Sequence, residues 1–151
     1  MKRLMSLVCV GVAVLAFGLG VAVGMEAAKN GIVQWKQSDL KWHAVPGGPI
    51  MQADGWKHGT MHCNFQKFPK GFAAPLHTHS HDIAGVVVAG SFGSSAEGQP
   101  ESLLPPGGFQ SVPGGFKHTT KCGADSDCIV FVCQPGPFDL KPAAGDAKKV
   151  K

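Results

Sequence analysis

The sequence is short of charged residues, and those it has are not gathered on any one predicted element. Only 16% of the 151 residues are Asp, Glu, Lys or Arg, and the formal net charge is +4. Basic residues stand at the two ends, as Lys2 and Arg3 and in the final "KPAAGDAKKVK". A nucleic-acid surface needs basic residues clustered on one element, so this class of partner is excluded. Residues 141–151 are predicted to form a flexible, solvated basic tail.

A second absence is helical periodicity. The chain has 21 glycines and 11 prolines, and no long stretch repeats apolar residues at helical spacing. Short runs bounded by turn residues occur instead, such as "TMHCNFQKF" at 60–68 and "DCIVFVCQP" at 127–135. In the first run apolar and polar residues alternate, which indicates a strand with one apolar and one polar face. These features predict an all-β sandwich or barrel of seven or eight short strands across residues 30–140.

The sequence also lacks a C-x-x-C motif, which excludes a thioredoxin-type redox site and a four-cysteine zinc site. Four cysteines follow the N-terminal segment: Cys63, Cys122, Cys128 and Cys133. Cys122 and Cys128 flank "GADSD", a connection of turn-forming residues between two strand-like runs. This arrangement predicts a Cys122–Cys128 disulfide across a hairpin, with free buried thiols as the alternative.

The first 24 residues resemble an export signal rather than part of the fold. Lys2 and Arg3 precede a run from Leu4 to Gly24 that is apolar apart from Ser6. This is the pattern of a secretory signal peptide, cleaved after Gly24. An uncleaved anchor is the alternative, because the 21 residues of the run are just enough to span a bilayer. Under either interpretation the domain is periplasmic or secreted, where cysteines can form disulfides.

Histidines form the most unusual local pattern. His77, His79 and His81 stand at alternate positions in "GFAAPLHTHSHDIAGVVVAG", and His118 follows in "GGFQSVPGGFKHTTKC". His77 and His79 are two residues apart and therefore point to the same face of a strand. Glycines and a proline surround both places at regular spacings: Gly71, Gly90, Gly107, Pro113 and Gly115. His43, His58 and His62 show no comparable spacing and are predicted to be surface or partly buried residues, although His62 could face the interior.

These two segments resemble the two motifs of the cupin superfamily, G-x5-H-x-H-x3,4-E-x6-G and G-x5-P-x-G-x2-H-x3-N. All the glycines, the proline and three histidines fall in register, and the match covers roughly Thr60 to Phe138. The run "FPKGFAAPLHTHSHD" and the ending "GPFD" are similar to small bacterial cupins of uncharacterised function. A more distant likeness is to the cupin domain of zinc-dependent anti-sigma factors. The resemblance implies a jelly-roll barrel of six to eight strands, with a metal held inside by facing strands.

Two departures from the motifs change the metal site that the resemblance implies. The glutamate position falls on Ile83 and the final asparagine position on Cys122. What remains is a three-histidine set of His77, His79 and His118. His81 is a candidate fourth ligand, because on a continuous strand it would point to the same face as His77 and His79. Solvated histidines on a loop and a barrel that has lost its metal are the alternatives.

The donor set restricts the cofactor to one divalent transition metal. Neutral imidazoles suit Zn²⁺, Fe²⁺, Cu²⁺ or Ni²⁺ rather than Mg²⁺ or Ca²⁺, and Mn²⁺ is a further candidate. Three protein ligands with an open position are the composition of a catalytic site rather than a closed structural one. Asp82 could orient a histidine from behind, or it could be a turn residue.

Two functions are compatible with this reading. The first is an exported metalloprotein that binds or senses a metal or small ligand without turnover. The alternative is a three-histidine dioxygenase or isomerase acting on a small molecule. The chain has no tyrosine, which removes the phenol that thiol dioxygenases of the superfamily use near their metal. Cys63, Asn64, Gln66 and Cys133 are candidate pocket residues, and none is singled out as catalytic.

The resemblance also suggests a homodimer, since a cupin strand edge commonly pairs with a second subunit. A small-molecule ligand is the other expected partner. The membrane is a partner only if the N-terminal segment stays uncleaved.

Overall fold

The computed structural model describes residue 32 and residues 34–144. The predicted signal segment and residues 145–151 of the predicted tail lie outside the described residues. A 3-10 turn at Gln37–Asp39 is followed by ten strands: β1 (His43–Ala44), β2 (Met51–His58), β3 (Met61–Phe68), β4 (Ala73–Thr78), β5 (Ile83–Ala89), β6 (Phe92–Ala96), β7 (Phe109–Val112), β8 (His118–Cys122), β9 (Cys128–Pro135) and β10 (Lys141–Pro142). None of the helical structure in this part of the chain is long and apolar enough to cross a membrane.

The ten strands form two antiparallel sheets that share one interior. Six strands lie in the order β1-β2-β3-β9-β5-β7, and four lie in the order β10-β4-β8-β6. The core takes Phe68, Val87 and Val130 from the first sheet and Phe92 and Cys122 from the second. The all-β prediction is confirmed. The strand count exceeds the predicted seven or eight partly because β1 and β10 are two-residue strands with no pattern of their own.

Strand β10 extends the β structure past residue 140. Lys141 and Pro142, assigned to the tail from the sequence, pair with Thr78 and His77 of β4. The Ala143 N–H then donates to the Leu76 carbonyl at 3.0 Å. This edge pairing matters because it covers the strand that carries the first histidine.

Strand β3 turns its polar face to the interior. Asn64 and Gln66 are only 4% and 3% exposed, whereas Phe65 packs on the outer face against Phe131 of β9, with ring centroids 4.8 Å apart. Successive side chains of a strand point to opposite faces, so Cys63 lies on the outer face with Phe65. Asn64 and Gln66 therefore face inward as pocket candidates, and the assignment of Cys63 to the pocket is corrected.

Two cysteine pairs lie at disulfide distance. The Sγ atoms of Cys122 and Cys128 are 2.02 Å apart, in agreement with the predicted pair, and this bridge joins β8 of one sheet to β9 of the other. Cys63 and Cys133 are directly opposite in the β3–β9 ladder, with their Sγ atoms 2.05 Å apart. The second pair was not predicted, and it corrects the interpretation of Cys133 as a pocket residue.

The motif glycines occupy turns that other residues would strain. Four of them have φ between 73° and 86°: Gly71, Gly90, Gly107 and Gly115. At Gly90 a Cβ atom would also come within 2.7 Å of the Asp127 carbonyl oxygen. Because L side chains rarely adopt this backbone conformation, glycine permits these turns, which lead into β4, β7 and β8 and out of β5.

Candidate metal centre

His77 and His118 face each other across neighbouring strands. They are Cα partners in the β4–β8 ladder, which shifts register between Ala74 and His77. His79 follows one residue after β4 ends. The ring centroids of His77 and His118 are 4.2 Å apart, and the His79 centroid lies 5.0 and 5.1 Å from them. One ring nitrogen of each histidine lies within 4.8 Å of the others, so the structure brings the three predicted ligands together.

Each of the three imidazoles is oriented by a backbone carbonyl. His77 Nδ1 lies 2.7 Å from the Pro75 carbonyl oxygen, and His118 Nδ1 lies 2.9 Å from that of Phe116. His79 Nδ1 is hydrogen-bonded to the Asp139 carbonyl oxygen. A carbonyl oxygen only accepts, so Nδ1 carries the proton and Nε2 keeps its lone pair. Metal-binding histidines characteristically donate their other ring N–H in this way.

Burial keeps these imidazoles neutral. His77 and His118 are 1% exposed and His79 is 7% exposed. The pKa of His77 is lowered from 6.5 to about 4, chiefly by desolvation; the Pro75 carbonyl acts in the opposite direction, and the neighbouring His118 and His79 contribute to the lowering. Desolvation is also the largest cause of the lowered pKa values of His79 and His118. Neutral imidazole is the form that binds a metal, so the three side chains fit one.

The histidines line an interior cavity of about 40 Å³ between the two sheets. Most of its other lining residues are apolar, and its remaining polar groups belong to Gln66, Ser94, Gln110 and Thr120. Ile83, which stands where the motif has glutamate, also lines it and is 9% exposed. Among the described residues that line this cavity, none is Asp, Glu, Lys or Arg.

The other candidate residues lie elsewhere. His81 is exposed and outside the group of three. Asp82 accepts a hydrogen bond from the Gly114 N–H at 2.7 Å, which ties the two motif loops together instead of orienting a histidine. His43 and His58 are exposed, and partly buried His62 lines a separate cavity of about 240 Å³.

Asp139 is a site residue that the sequence did not single out. Its carbonyl orients His79, while its carboxylate accepts hydrogen bonds from the Ser80 N–H at 2.9 Å and the Ser80 hydroxyl at 2.5 Å. Partial burial raises the pKa of Asp139, but these bonds and the charge of Lys141 outweigh it and hold the pKa below its usual value. The "GPFD" ending marked the segment, but a backbone carbonyl has no sequence signature.

Three buried carboxamide atoms have no hydrogen-bond partner in the described structure: Asn64 Oδ1, Gln66 Nε2 and Gln134 Oε1. Gln134 still donates through Nε2 to the Gly136 carbonyl at 3.3 Å. Of these three residues, Gln66 lines the cavity of the histidines.

Solved structures share this fold at low sequence identity. The polyketide cyclase RemF from Streptomyces resistomycificus has a TM-score of 0.63 at 18% identity, over 77% of this chain and 88% of that one. An RmlC-like cupin from Shewanella frigidimarina has a TM-score of 0.56 at 19% identity, over 68% and 89%. Rhodobacter sphaeroides SigE in complex with the anti-sigma ChrR has a TM-score of 0.55 at 23% identity over 66% of this chain, which spans about half (51%) of that one.

The two antiparallel sheets, the motif turns and these likenesses show that the protein has the cupin fold. The model of the family described as "Domain of unknown function (DUF4437)" matches residues 33–149, and the chain belongs to that family. A search of curated proteins gives no significant match.

Proposed function

We propose that this protein is an exported cupin that binds one divalent transition metal through His77, His79 and His118 and holds a small ligand on it. The observation that carries the proposal is the shared orientation of the three buried imidazoles. Each binds a carbonyl through Nδ1, which leaves three Nε2 donors for a metal. Three protein donors leave coordination positions open for a ligand.

Two features support export. The N-terminal 24 residues have the pattern of a secretory signal. Both cysteine pairs lie at disulfide distance, and disulfides persist in oxidising compartments rather than in the cytosol.

The first test is metal analysis of the protein purified from its native compartment. We expect about one equivalent of a transition metal in the wild type and in His81→Ala, which alters an exposed histidine of the same motif. His77→Ala combined with His118→Ala should lose the metal while keeping the β-sheet circular dichroism spectrum. Unchanged metal content in the folded double variant would falsify the site.

A metal-dependent dioxygenase is the second candidate, because the three histidines line a cavity in which a small substrate could lie beside a bound metal. A bound iron would supply the redox chemistry for it. Acid–base isomerisation has less support, since no described residue lining the cavity is a carboxylate or a lysine, and the three histidines are assigned as ligands. Oxygen uptake by the Fe²⁺-loaded protein with a panel of thiols and diketones tests this. Oxygen consumption with one of these compounds would establish an enzyme. No oxygen consumption with any of them, together with tight metal retention, would favour a binding protein.

A further inference from the structure

Gln66 is a buried donor without a protein acceptor. Its side chain is 3% exposed, and Nε2 has no hydrogen-bond partner in the described structure. The residue lies on the inner face of β3 and lines the same cavity as His77 and His118. An unpaired buried donor destabilises a fold. Local features that lower stability concentrate at functional sites, so this donor points to a ligand.

The charge of the cavity restricts what that ligand can be. Histidines bind a metal as neutral imidazoles, and Ile83, which lines the cavity, stands where the cupin motif has a carboxylate. A divalent ion on these histidines would keep its full double charge in an interior where an unpaired charge is costly. With no carboxylate among the described lining residues, the compensating negative charge has to come from the ligand.

We propose that the cavity takes a small organic monoanion that binds through oxygen, and that the Gln66 N–H donates to that oxygen. The inference rests on the proposed metal site. A phosphate is disfavoured because its head of one phosphorus and four oxygens is larger than the three groups that a cavity of about 40 Å³ accepts. A carboxamide N–H also binds an oxygen acceptor better than it binds sulfur, so an oxygen anion is favoured over a thiolate.

The volumes of the histidine cavity and of an adjoining cleft indicate where the two ends of such a ligand would lie. About 40 Å³ holds roughly three water-sized groups, which matches a head of one carbon and two oxygens. An adjoining cleft of about 580 Å³ shares five lining residues with the cavity: Ile50, Phe72, Ala74, Phe138 and Leu140. Four prolines also line this cleft, Pro46, Pro49, Pro75 and Pro142, and Asp139 is its single acidic lining residue among those described. An apolar body attached to the anionic head therefore belongs in this cleft.

The Co²⁺-loaded protein provides the test, because its visible absorption changes when a ligand joins the metal. Two carboxylates are used as probes: acetate represents the anionic head alone, and hexanoate adds an apolar chain to the same head. Gln66→Met, which keeps the side-chain length but has no N–H, should weaken acetate binding about 10-fold and leave Co²⁺ retention unchanged. Gln134→Met is the matched control, since it removes an equally buried carboxamide outside the cavity and should leave acetate binding as in the wild type.

Selectivity provides a second arm. Hexanoate should bind more tightly than acetate, and neutral acetamide should bind at least 10-fold more weakly. Wild-type affinity for acetate in Co²⁺-loaded Gln66→Met overturns the role of Gln66. Equal affinity for acetate and acetamide overturns the anionic class, and equal affinity for acetate and hexanoate overturns the apolar body.

Thermal unfolding of the metal-free protein tests Gln66 independently of the metal site. If Gln66 serves a ligand, Gln66→Met removes an unpaired donor and should raise Tm by roughly 4 °C. Gln134→Met loses a hydrogen bond to Gly136 and should lower Tm. A lower Tm for Gln66→Met assigns the residue a structural role and overturns the inference. Failure of the wild type to bind Co²⁺ at all would count against the metal site, while this measurement would still decide the role of Gln66.

Discussion

At the scale of single residues, Ile83 determines the charge of the candidate metal centre. Its side chain lines the histidine cavity from the position where the cupin motif places a carboxylate. The substitution is visible in the sequence, and the structure adds that the side chain faces the interior. A glutamate at this position would therefore reach into the same cavity.

We expect Ile83→Glu to hold a divalent metal more tightly and to lose acetate binding. The introduced carboxylate supplies the missing negative charge, and in the metal-free protein it is a buried acid that lowers stability. Metal release to a chelator should slow about 10-fold, within the range known for changes around a metal site. Ile83→Gln, of the same size without the charge, is the control. Unchanged acetate affinity in Ile83→Glu would contradict the charge argument.

The histidines give the metal-free protein a defined pH dependence. Their pKa values in the folded protein are lower than the ordinary value of 6.5. At a pH below about 6.5 the unfolded chain therefore binds more protons than the folded protein does. The free energy of unfolding should therefore be level above pH 7 and fall as the pH drops from about 6.5 towards 4. For His77, with a folded-state pKa of about 4, the loss is at most about 3 kcal/mol.

Urea unfolding at several pH values checks this expectation. His77→Gln should show a shallower decline than the wild type, because glutamine does not titrate. A free energy of unfolding that stays constant between pH 4.5 and 7 would refute the assignment of buried neutral histidines.

The sequence could predict that His77, His79 and His118 lie together, because the two segments that carry them resemble the two cupin motifs. It could not predict what orients them. The acceptors are carbonyls of Pro75, Phe116 and Asp139, and every residue has a carbonyl. Gln66 was a candidate pocket residue, but its unpaired donor appears only when the packing around it is known.

At the scale of elements, the segment between β9 and β10 completes the site. Asp139 fastens it to Ser80, and Lys141 lies 3.5 Å from the Asp139 carboxylate. In this position the Asp139 carbonyl meets the His79 ring, and Phe138 packs against that ring at a centroid distance of 5.4 Å. The orientation of His79 therefore depends on a segment sixty residues further along the chain.

Removing the Asp139 carboxylate should weaken metal binding without removing a metal ligand. In Asp139→Ala the carbonyl remains but its position is no longer fixed, and we expect about 10-fold lower affinity. Asp125→Ala, which removes the same charge from an exposed loop, is the control. Chelator competition gives both affinities. Equal loss in the two variants would show a general effect of charge rather than the orientation of His79.

Strand β3 shows what an alternating sequence pattern cannot predict, namely which face of a strand is buried. Alternation correctly predicted a strand, but it does not state which face is the interior. The polar residues Asn64 and Gln66 turned out to be buried, because this barrel encloses a site instead of a purely apolar core. The outer face is covered locally by the Phe65–Phe131 pair and the Cys63–Cys133 bridge.

At the scale of the whole molecule, the two disulfides should contribute unequally to stability. They close loops with sequence separations of 70 and 6 residues. The chain-entropy model gives about 4 kcal/mol for the longer loop and about 2 kcal/mol for the shorter. Urea unfolding of the paired variants Cys63→Ala with Cys133→Ala, and Cys122→Ala with Cys128→Ala, measures both. A larger loss from the second pair would contradict the entropic ranking.

The overall architecture could be predicted because the motif glycines mark turns whose backbone requires them. The Cys122–Cys128 pair could be predicted because a short connection keeps its ends together. Long-range pairing could not be predicted in the same way. The Cys63–Cys133 bridge and the β4–β10 edge depend on strand register, which no local pattern in this chain specifies.

If His77 and His118 hold the proposed metal, their direct opposition also links metal supply to the persistence of the fold. In the denatured ensemble the chain retains the local chelating histidines His77, His79 and His81, with His118 about forty residues from His79. By mass action, each tenfold rise in free metal above its dissociation constant adds about 1.4 kcal/mol to the free energy of unfolding. Metal binding to the local histidines of the unfolded chain reduces this gain. The lifetime of the protein should therefore follow the metal content of its surroundings.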